Sequence, residues 1–142
     1  MREPAFWWRR GAPQAQLLAP LGLIYGTITA RRMAKQGARA RLPVLCVGNF
    51  TLGGAGKTPA VIMLAKMLAD SGGRPFCLSR GYGGTEAGPK LVDNRADSAA
   101  QVGDEALLLA RAAPTVVARD RVGGAELAQA QGANVIILDD GL

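Results

Sequence analysis

The sequence predicts an α/β domain with a mainly parallel sheet and flanking helices. Short apolar runs alternate with longer stretches whose apolar residues recur at helical spacing, and this alternation is typical of β-α-β units. A glycine-rich segment, residues 51–58, separates the first apolar run from the first helical stretch and indicates a tight turn there. The chain has 142 residues, 49% of them apolar and 20% charged, which is globular composition with room for one core.

The first predicted strand is Val44–Val47, which follows Pro43 and which we expect to be buried. A helix over Pro59–Asp70 comes next, closed by Gly72. Its core-facing side is predicted to carry Val61, Leu64, Ala65 and Leu68. The later elements are strands at 76–78, 90–92, 115–118 and 135–138 and helices at 105–112 and 120–131.

The positive charge is concentrated at the start of the chain. Residues 1–41 carry eight basic side chains and one acidic one, whereas residues 42–142 carry nine basic and ten acidic ones. Because the second segment is close to neutral, we expect no nucleic acid among the partners. The pattern divides the chain into a basic, aromatic N-terminal segment, 1–41, and a domain over 42–142.

The N-terminal segment contains an uncharged stretch, residues 11–30, with arginines on both sides and with Trp7 and Trp8 before it. Its apolar residues Leu17, Leu18, Leu21, Ile24, Tyr25 and Ile28 recur at helical spacing. This pattern predicts an amphipathic helix that associates with an anionic membrane surface. One alternative is an ordinary helix packed on the domain. The other is a secretory signal peptide, against which the sequence lacks a clear small-x-small cleavage site. The pattern leaves open whether residues 11–30 span the bilayer or lie on it.

The chain has two cysteines and no histidine. Cys46 and Cys77 lie in predicted strands without metal-binding spacing, so we expect two small buried apolar residues in a reducing compartment. The missing histidine excludes a Ser-His-Asp triad and a histidine-ligated metal within this chain.

The glycine-rich segment has the features of a phosphate-binding P-loop. It reads Gly53-Gly54-Ala55-Gly56-Lys57-Thr58, between a predicted strand and a predicted helix. Glycines allow several backbone N–H groups to point into one hollow, where Lys57 reaches phosphates and Thr58 offers a hydroxyl to Mg²⁺. Thr51 occupies the position where the general pattern has glycine. The alternative is a glycine-rich turn with an incidental lysine.

Two pairs of carboxylates are candidates for metal binding and proton transfer. Asp139 and Asp140 end an apolar strand, where a metal-binding Walker B carboxylate is expected, although Asp-Gly is also a common turn. Asp104 and Glu105 open a predicted helix, either as capping residues or as the group that accepts a hydroxyl proton in phosphoryl transfer. Arginines that could bind an anionic substrate, or be ordinary surface residues, are Arg80, Arg119 and Arg121.

With these residues assembled, the chain resembles the N-terminal part of the tetraacyldisaccharide 4'-kinase family, the lipid A 4'-kinases of Gram-negative bacteria. The resemblance covers essentially the whole chain, and the family shows threonine at the position of Thr51. The matching segments are Pro4-Ala5-Phe6-Trp7, Val47 to Pro59, Ser79-Arg80-Gly81-Tyr82-Gly83-Gly84, Val102-Gly103-Asp104-Glu105, Arg119-Asp120-Arg121 and Asp139-Asp140-Gly141.

The resemblance implies ATP-dependent phosphorylation of the 4'-hydroxyl of a tetraacyldisaccharide 1-phosphate, giving lipid IVA, with ATP and Mg²⁺ as cofactors. It implies that Asp104 is the catalytic aspartate and that Glu105 lies beside the metal. Lys57 and Thr58 would hold phosphates and Mg²⁺, and Asp139 and Asp140 would serve the metal and the active-site network. The lipid disaccharide places the protein at the cytoplasmic face of the inner membrane, with no obligate protein partner.

In the family, the aspartate works with a histidine from the second half of the protein. Since the sheet also reaches Leu142 without a covering helix, we expect that the sequence is the first part of a longer protein and that these residues alone are inactive. One alternative function is a membrane-associated P-loop ATPase or GTPase switch. Leu52 replaces the signature lysine of such ATPases, which argues against an ATPase switch. The Asn-Lys-x-Asp motif of GTPases is absent up to Leu142, which leaves the GTPase alternative open. The other alternative is a catalytically incomplete nucleotide-binding fragment.

Overall fold

The structure is a computed structural model that describes residues 13–34, 39–48 and 56–139. It divides into two compact units, Met1–Ala38 and Arg39–Leu142, which we describe separately. In chain order, the elements are α1 (Pro13–Met33), β1 (Val44–Val47), α2 (Lys57–Asp70), β2 (Pro75–Ser79), β3 (Lys90–Leu91), α3 (Ala99–Val102), α4 (Asp104–Ala110), β4 (Thr115–Val117), α5 (Arg121–Ala130) and β5 (Val135–Asp139).

The second unit is built on a sheet whose five described strands run in the order β1-β5-β2-β4-β3. The pairs β1–β5, β5–β2 and β2–β4 are parallel, and only β3 pairs antiparallel, with β4. The predicted α/β class with a mainly parallel sheet is therefore confirmed. Crossover helices connect the parallel strands, so the helices cover the faces of the sheet.

Strand β2 lies in the middle of the sheet, and all five of its residues are buried. Phe76 and Leu78 belong to a core cluster on the α5 side, together with Ala128 and Ile136. The residue between them, Cys77, points to the opposite face and joins a second cluster there. That cluster contains Val61 and Ala65 of α2, Leu109 of α4, and Ile137. The alternation of side chains along β2 thus produces a three-layer domain, with α5 on one face and α2 and α4 on the other.

Helix α5 packs unusually close to the sheet. The side chain of Asp120 caps its start by accepting a hydrogen bond from the Val122 N–H at 3.0 Å. Gly124, inside the helix, is buried, and a Cβ there would lie 2.6 Å from the Leu78 side chain and 2.7 Å from Ala118 Cβ. The glycine therefore lets the helix backbone approach β2 directly.

The expectation that Val44–Val47 is a buried strand is wrong. The strand forms as predicted, but Val44 and Leu45 are each 40% exposed and Cys46 is also exposed. Consecutive residues of a strand point to opposite faces, so neither face of β1 is fully covered by the described residues. Within them β1 has β5 as its one neighbour, which makes it an edge strand. Of the two cysteines predicted to be buried, the structure confirms Cys77 alone.

In the first unit, α1 extends beyond the predicted uncharged stretch, residues 11–30, and continues to Met33. Pro20 lies inside it. Its apolar side chains are exposed, with Leu17 at 81% and Tyr25 at 74%. None of the described helices combines the length and the apolar composition that crossing a bilayer requires.

Candidate active site

The candidate site lies at the edge of the sheet where the parallel strands end. In a parallel sheet, the carboxyl ends of the strands and the N-termini of the following helices meet at one edge, where ligands of such folds bind. Register confirms this for the two strands at the site, because Val47, the last residue of β1, pairs with Asp139, the last residue of β5. Helices α2 and α4 begin at the same edge and pack side by side through Val61 and Leu109.

Helix α2 begins directly after the glycine-rich segment. Gly56 precedes it with a φ of 76°, in the left-handed region that favours glycine. Lys57 and Thr58 are the first two helical residues and are half-buried. The helix therefore starts two residues earlier than predicted. The remaining predicted P-loop residues, Thr51, Gly53, Gly54 and Ala55, lie outside the described residues.

Helix α4 brings the first pair of candidate carboxylates to the same place. Gly103, with a φ of 89°, precedes it, and Asp104 and Glu105 occupy its exposed first turn. The Thr58 hydroxyl donates a hydrogen bond to Glu105 Oε1 at 3.2 Å. This contact joins residues that are 47 positions apart in the chain, so the P-loop helix and the helix that carries Asp104 meet at their N-termini.

The second pair of candidate carboxylates lies at the end of β5. Asp139 is the last residue of the strand and is 5% exposed, whereas Asp140 lies outside the described residues. The charge of Asp139 affects the pKa of the Cys77 thiol. Burial, chiefly, raises the pKa of Cys77 to about 11, and the negative charge of Asp139 adds to this, while a hydrogen bond with Thr115 opposes it. A carboxylate buried at this depth points to a structural or metal-linked role rather than to a solvated turn.

The chemistry of these groups fits Mg²⁺. Hydroxyl and carboxylate oxygens are its preferred protein ligands, and Mg²⁺ in phosphoryl-transfer sites is typically held by one or two protein ligands together with phosphate oxygens. Thr58 and Glu105 already form such a pair of oxygens. Within the described residues, no group of three or more Asp, Glu, Cys or His side chains is arranged to hold a metal ion. The donor set therefore suits a metal that binds together with a nucleotide.

A second glycine-rich segment, residues 79–84, packs against the start of α4, which the sequence pattern did not predict. Arg80 and Tyr82 of that segment are exposed, and the Tyr82 side chain is 88% exposed. Gly81 and Gly84 instead face the junction of α3 and α4, just before Asp104. Helix α3 was not predicted, although Ser98 and Gln101 form a capping box, which is a recognisable N-terminal signal.

The three arginines noted as candidate anion ligands are spread along this edge. Arg80 follows β2 and Arg119 lies just beyond β4, and both are exposed. Arg121 begins α5 and is half-buried. Because β2 and β4 are neighbours in parallel register, Arg80 and Arg119 follow adjacent strand ends.

A parallel sheet with two helix N-termini and a buried aspartate at its carboxyl edge is the arrangement of α/β nucleotide-binding domains. Comparison with known proteins narrows this class. The LpxK family profile, tetraacyldisaccharide-1-P 4'-kinase, matches residues 14–142. The chain belongs to this family.

Individual relatives agree with the profile. A tetraacyldisaccharide 4'-kinase of Bradyrhizobium diazoefficiens is 59% identical over 141 residues, which is 99% of this chain and 42% of the relative. One of Methylorubrum extorquens is 60% identical over 143 residues, covering 100% of this chain and 44% of the relative. The chain therefore spans less than half the length of these relatives.

A solved structure has the same fold. It is the crystal structure of "apo" form LpxK from Aquifex aeolicus in complex with ATP, which superimposes with a TM-score of 0.74 at 32% sequence identity. The match covers 90% of this chain and 44% of the Aquifex chain.

Proposed function

We propose that the full-length protein transfers the γ-phosphoryl group of ATP to the 4'-hydroxyl of tetraacyldisaccharide 1-phosphate, giving lipid IVA in lipid A biosynthesis. The observation that carries the proposal is the hydrogen bond from Thr58 to Glu105. It joins the helix that begins with Lys57 to the helix that begins with Asp104, and this supports a phosphate-binding role for the first helix and the role of base for Asp104. Family membership supplies the acceptor.

Each described residue of the site has a role in this proposal. Lys57 binds the transferred phosphate, and Gly56 ends the loop whose N–H groups surround the phosphate chain, a role shared with Thr51, Gly53, Gly54 and Ala55. Thr58, Glu105 and Asp139 would hold Mg²⁺, which would neutralise charge on the phosphate oxygens. Asp140, which follows Asp139 in the sequence, completes the active-site network.

Asp104 acts as the general base. It is exposed at the first position of α4, where an incoming hydroxyl can reach it, whereas Asp139 is buried. In the reaction, the 4'-oxygen forms a bond to the γ-phosphorus, the bond between that phosphorus and the β–γ bridging oxygen breaks, and ADP leaves. The hydroxyl proton passes to Asp104.

In this proposal, the N-terminal unit binds the cytoplasmic face of the inner membrane. The apolar side chains of α1 are exposed along the face predicted from sequence, with Leu21 at 63% and Ile24 at 58%. Arg31 lies at its C-terminal end and is exposed. A helix with exposed apolar residues and adjacent positive charge binds an anionic lipid surface, where a tetraacylated substrate also resides.

The test is a phosphorylation assay with the purified full-length protein, Mg²⁺·ATP and tetraacyldisaccharide 1-phosphate in mixed micelles. We expect ATP-dependent formation of a bisphosphorylated lipid and of ADP in equal amounts. Nucleotide hydrolysis that is independent of the lipid would instead identify an ATPase or GTPase switch. Nucleotide binding without turnover would identify a catalytically incomplete protein.

A further inference from the structure

We propose that Gly84 is a positioning residue for Asp104: its missing side chain lets the loop over residues 81–86 press its backbone against the α3–α4 junction and hold Asp104 beside the P-loop helix. This inference rests on the proposed function, because it assigns Gly84 a part in the same phosphoryl transfer. Gly84 has no side chain, so the part assigned to it is played through its backbone contacts with Gln101 and Gly103.

Hydrogen bonds attach the loop to α3 in two consecutive places. The Thr85 N–H donates to the Ala100 carbonyl at 3.1 Å, and the Glu86 N–H donates to the Gln101 carbonyl at 2.9 Å. The Thr85 hydroxyl also donates to the Ala100 carbonyl, at 3.3 Å. A hydrogen bond from the Gly84 N–H to the Gly81 carbonyl, at 3.0 Å, holds the loop in its own turn. The loop is therefore fixed to α3 by hydrogen bonds.

The approach is too close for a side chain at three glycines. A Cβ at Gly84 would collide with the Gln101 carbonyl oxygen and would lie 2.9 Å from the Gly103 nitrogen. A Cβ at Gly103 would lie 2.5 Å from the Tyr82 carbonyl oxygen, and one at Gly81 would lie 2.5 Å from a Val117 methyl group. Because the atoms opposite Gly84 belong to backbone, they cannot move aside as a flexible side chain can.

The junction that receives these contacts is continuous with Asp104. Gly103 immediately precedes α4, and its carbonyl accepts the Leu107 N–H at 3.3 Å, which begins the helical ladder. On the other side of the junction, Val102 and Ala106 are fully buried against Val117 of β4. The loop and β4 thus confine the start of α4 between them. A shift at Gly103 moves Asp104 and Glu105 together, and Glu105 bonds Thr58.

Gly84 is a suitable position for the test because its backbone has no positive φ. Alanine there adds the collision with the Gln101 carbonyl oxygen and no strain in the backbone dihedral angles. Gly73 is a matched control. It is also half-buried and without a positive φ, and its Cβ would lie 2.8 Å from the Leu68 carbonyl oxygen. It lies between α2 and β2, at the amino end of β2, away from the candidate site.

The experiment compares Gly84→Ala and Gly73→Ala in the full-length protein. Measurements are kcat per nucleotide-binding site, KM for ATP, the dissociation constant for Mg²⁺·ATP, and hydrogen exchange of the amides in α4. For Gly84→Ala we expect kcat to fall at least tenfold and the exchange at Leu107 to become faster. The affinity for Mg²⁺·ATP should fall by a smaller factor than kcat, because Glu105 moves together with Asp104. For Gly73→Ala we expect kcat within twofold of wild type, even where its melting temperature falls.

Unchanged kcat in Gly84→Ala would overturn the proposal, as would a parallel loss of kcat and ATP binding, or an equal loss of kcat in Gly73→Ala. If Gly84→Ala fails to fold, Thr85→Val removes the side-chain bond to α3 without a collision. We then expect kcat to fall two- to fivefold at unchanged ATP affinity, and an unchanged kcat overturns the proposal. Absence of lipid phosphorylation by the wild-type protein would refute the proposed function instead, and faster exchange at Leu107 in Gly84→Ala would still show that the loop supports α4.

Discussion

The hydroxyl of Thr58 and the carboxylate of Glu105, 3.2 Å apart, connect the two helices that carry the candidate chemistry. Both residues lie in the first turn of their helices, where the positive end of each helix dipole favours anions. Phosphate and acidic side chains are therefore both stabilised at this edge of the sheet. The arrangement predicts that changes here affect turnover more than folding.

Replacing Lys57 by alanine should abolish turnover in the full-length protein. The lysine begins α2, and in the proposed mechanism its charge stabilises the phosphate in the transition state. Loss of one such interaction typically lowers kcat by roughly 100-fold or more. Steady-state assays with the lipid acceptor measure this loss, with Lys66→Ala as the control because Lys66 is exposed on the same helix. Equal activities of the two variants would contradict the assignment.

Asp104→Asn should lower kcat sharply and leave ATP binding largely intact. The amide cannot accept the hydroxyl proton, and a general base typically contributes about 10²–10⁴-fold to the rate. Comparing kcat with the dissociation constant of Mg²⁺·ATP separates the two effects. Asp70→Asn, at the far end of α2, controls for the loss of one negative charge. Near-normal turnover of Asp104→Asn would show that another group removes the proton.

Placing aspartates at Leu21 and Ile24 should release the protein from anionic vesicles. Both residues lie on the exposed apolar face of α1, and charge there opposes burial in the lipid interface. Co-sedimentation with phosphatidylglycerol-containing vesicles measures the bound fraction. A second variant, Leu23→Asp with Thr27→Asp, adds the same charge on the other side of the helix and should remain bound to a greater extent. Identical sedimentation of wild type and Leu21→Asp/Ile24→Asp would remove the membrane assignment.

The buried thiol of Cys77 should make the protein less stable at high pH. Burial raises its pKa to about 11, from an ordinary value of 9.0, so the folded state keeps the proton after the unfolded state has lost it. Its contribution to the free energy of unfolding is therefore complete below pH 9 and declines as the pH rises towards 11. Urea unfolding between pH 8 and 11 should show a shallower decline for Cys77→Ala than for wild type. Parallel curves would show that the thiol ionises equally in both states.

Much of the fold could be predicted because apolar spacing reflects burial directly. The predicted face of α2 faces the core, with Val61 and Ala65 fully buried and Leu64 and Leu68 packed beside them. Strands β2, β4 and β5 were located to within a residue or two, since each is a short apolar run between turns. Their parallel arrangement followed from the intervening helices.

The errors have physical causes of a different kind. Val44–Val47 is as apolar as an interior strand, and only the order of the strands makes it an edge. Sequence composition does not contain that order, so Cys46 was expected to be buried like Cys77. For the site, types of residue pointed to Asp104 and Glu105, but the contact between Glu105 and Thr58 depends on how α2 and α4 pack. The glycines of the 81–86 loop are important because they have no side chain, which allows the backbone of the α3–α4 junction to come close. Their spacing in the sequence does not show which part of the backbone lies against them.

The order of the strands also determines when the site can form during synthesis. Strand β1 emerges early, yet among the described strands its partner is β5, which is the last of them to leave the ribosome. The pairing of Val47 with Asp139 closes a long loop of chain. The entropy of closing that loop is lost before the contacts between β1 and β5 stabilise the sheet. Strands β2 and β4 can pair beforehand, around a buried centre. Among the described strands, the pair at the candidate site is thus expected to form last, so that a partly made chain has a buried core before the candidate nucleotide site is assembled.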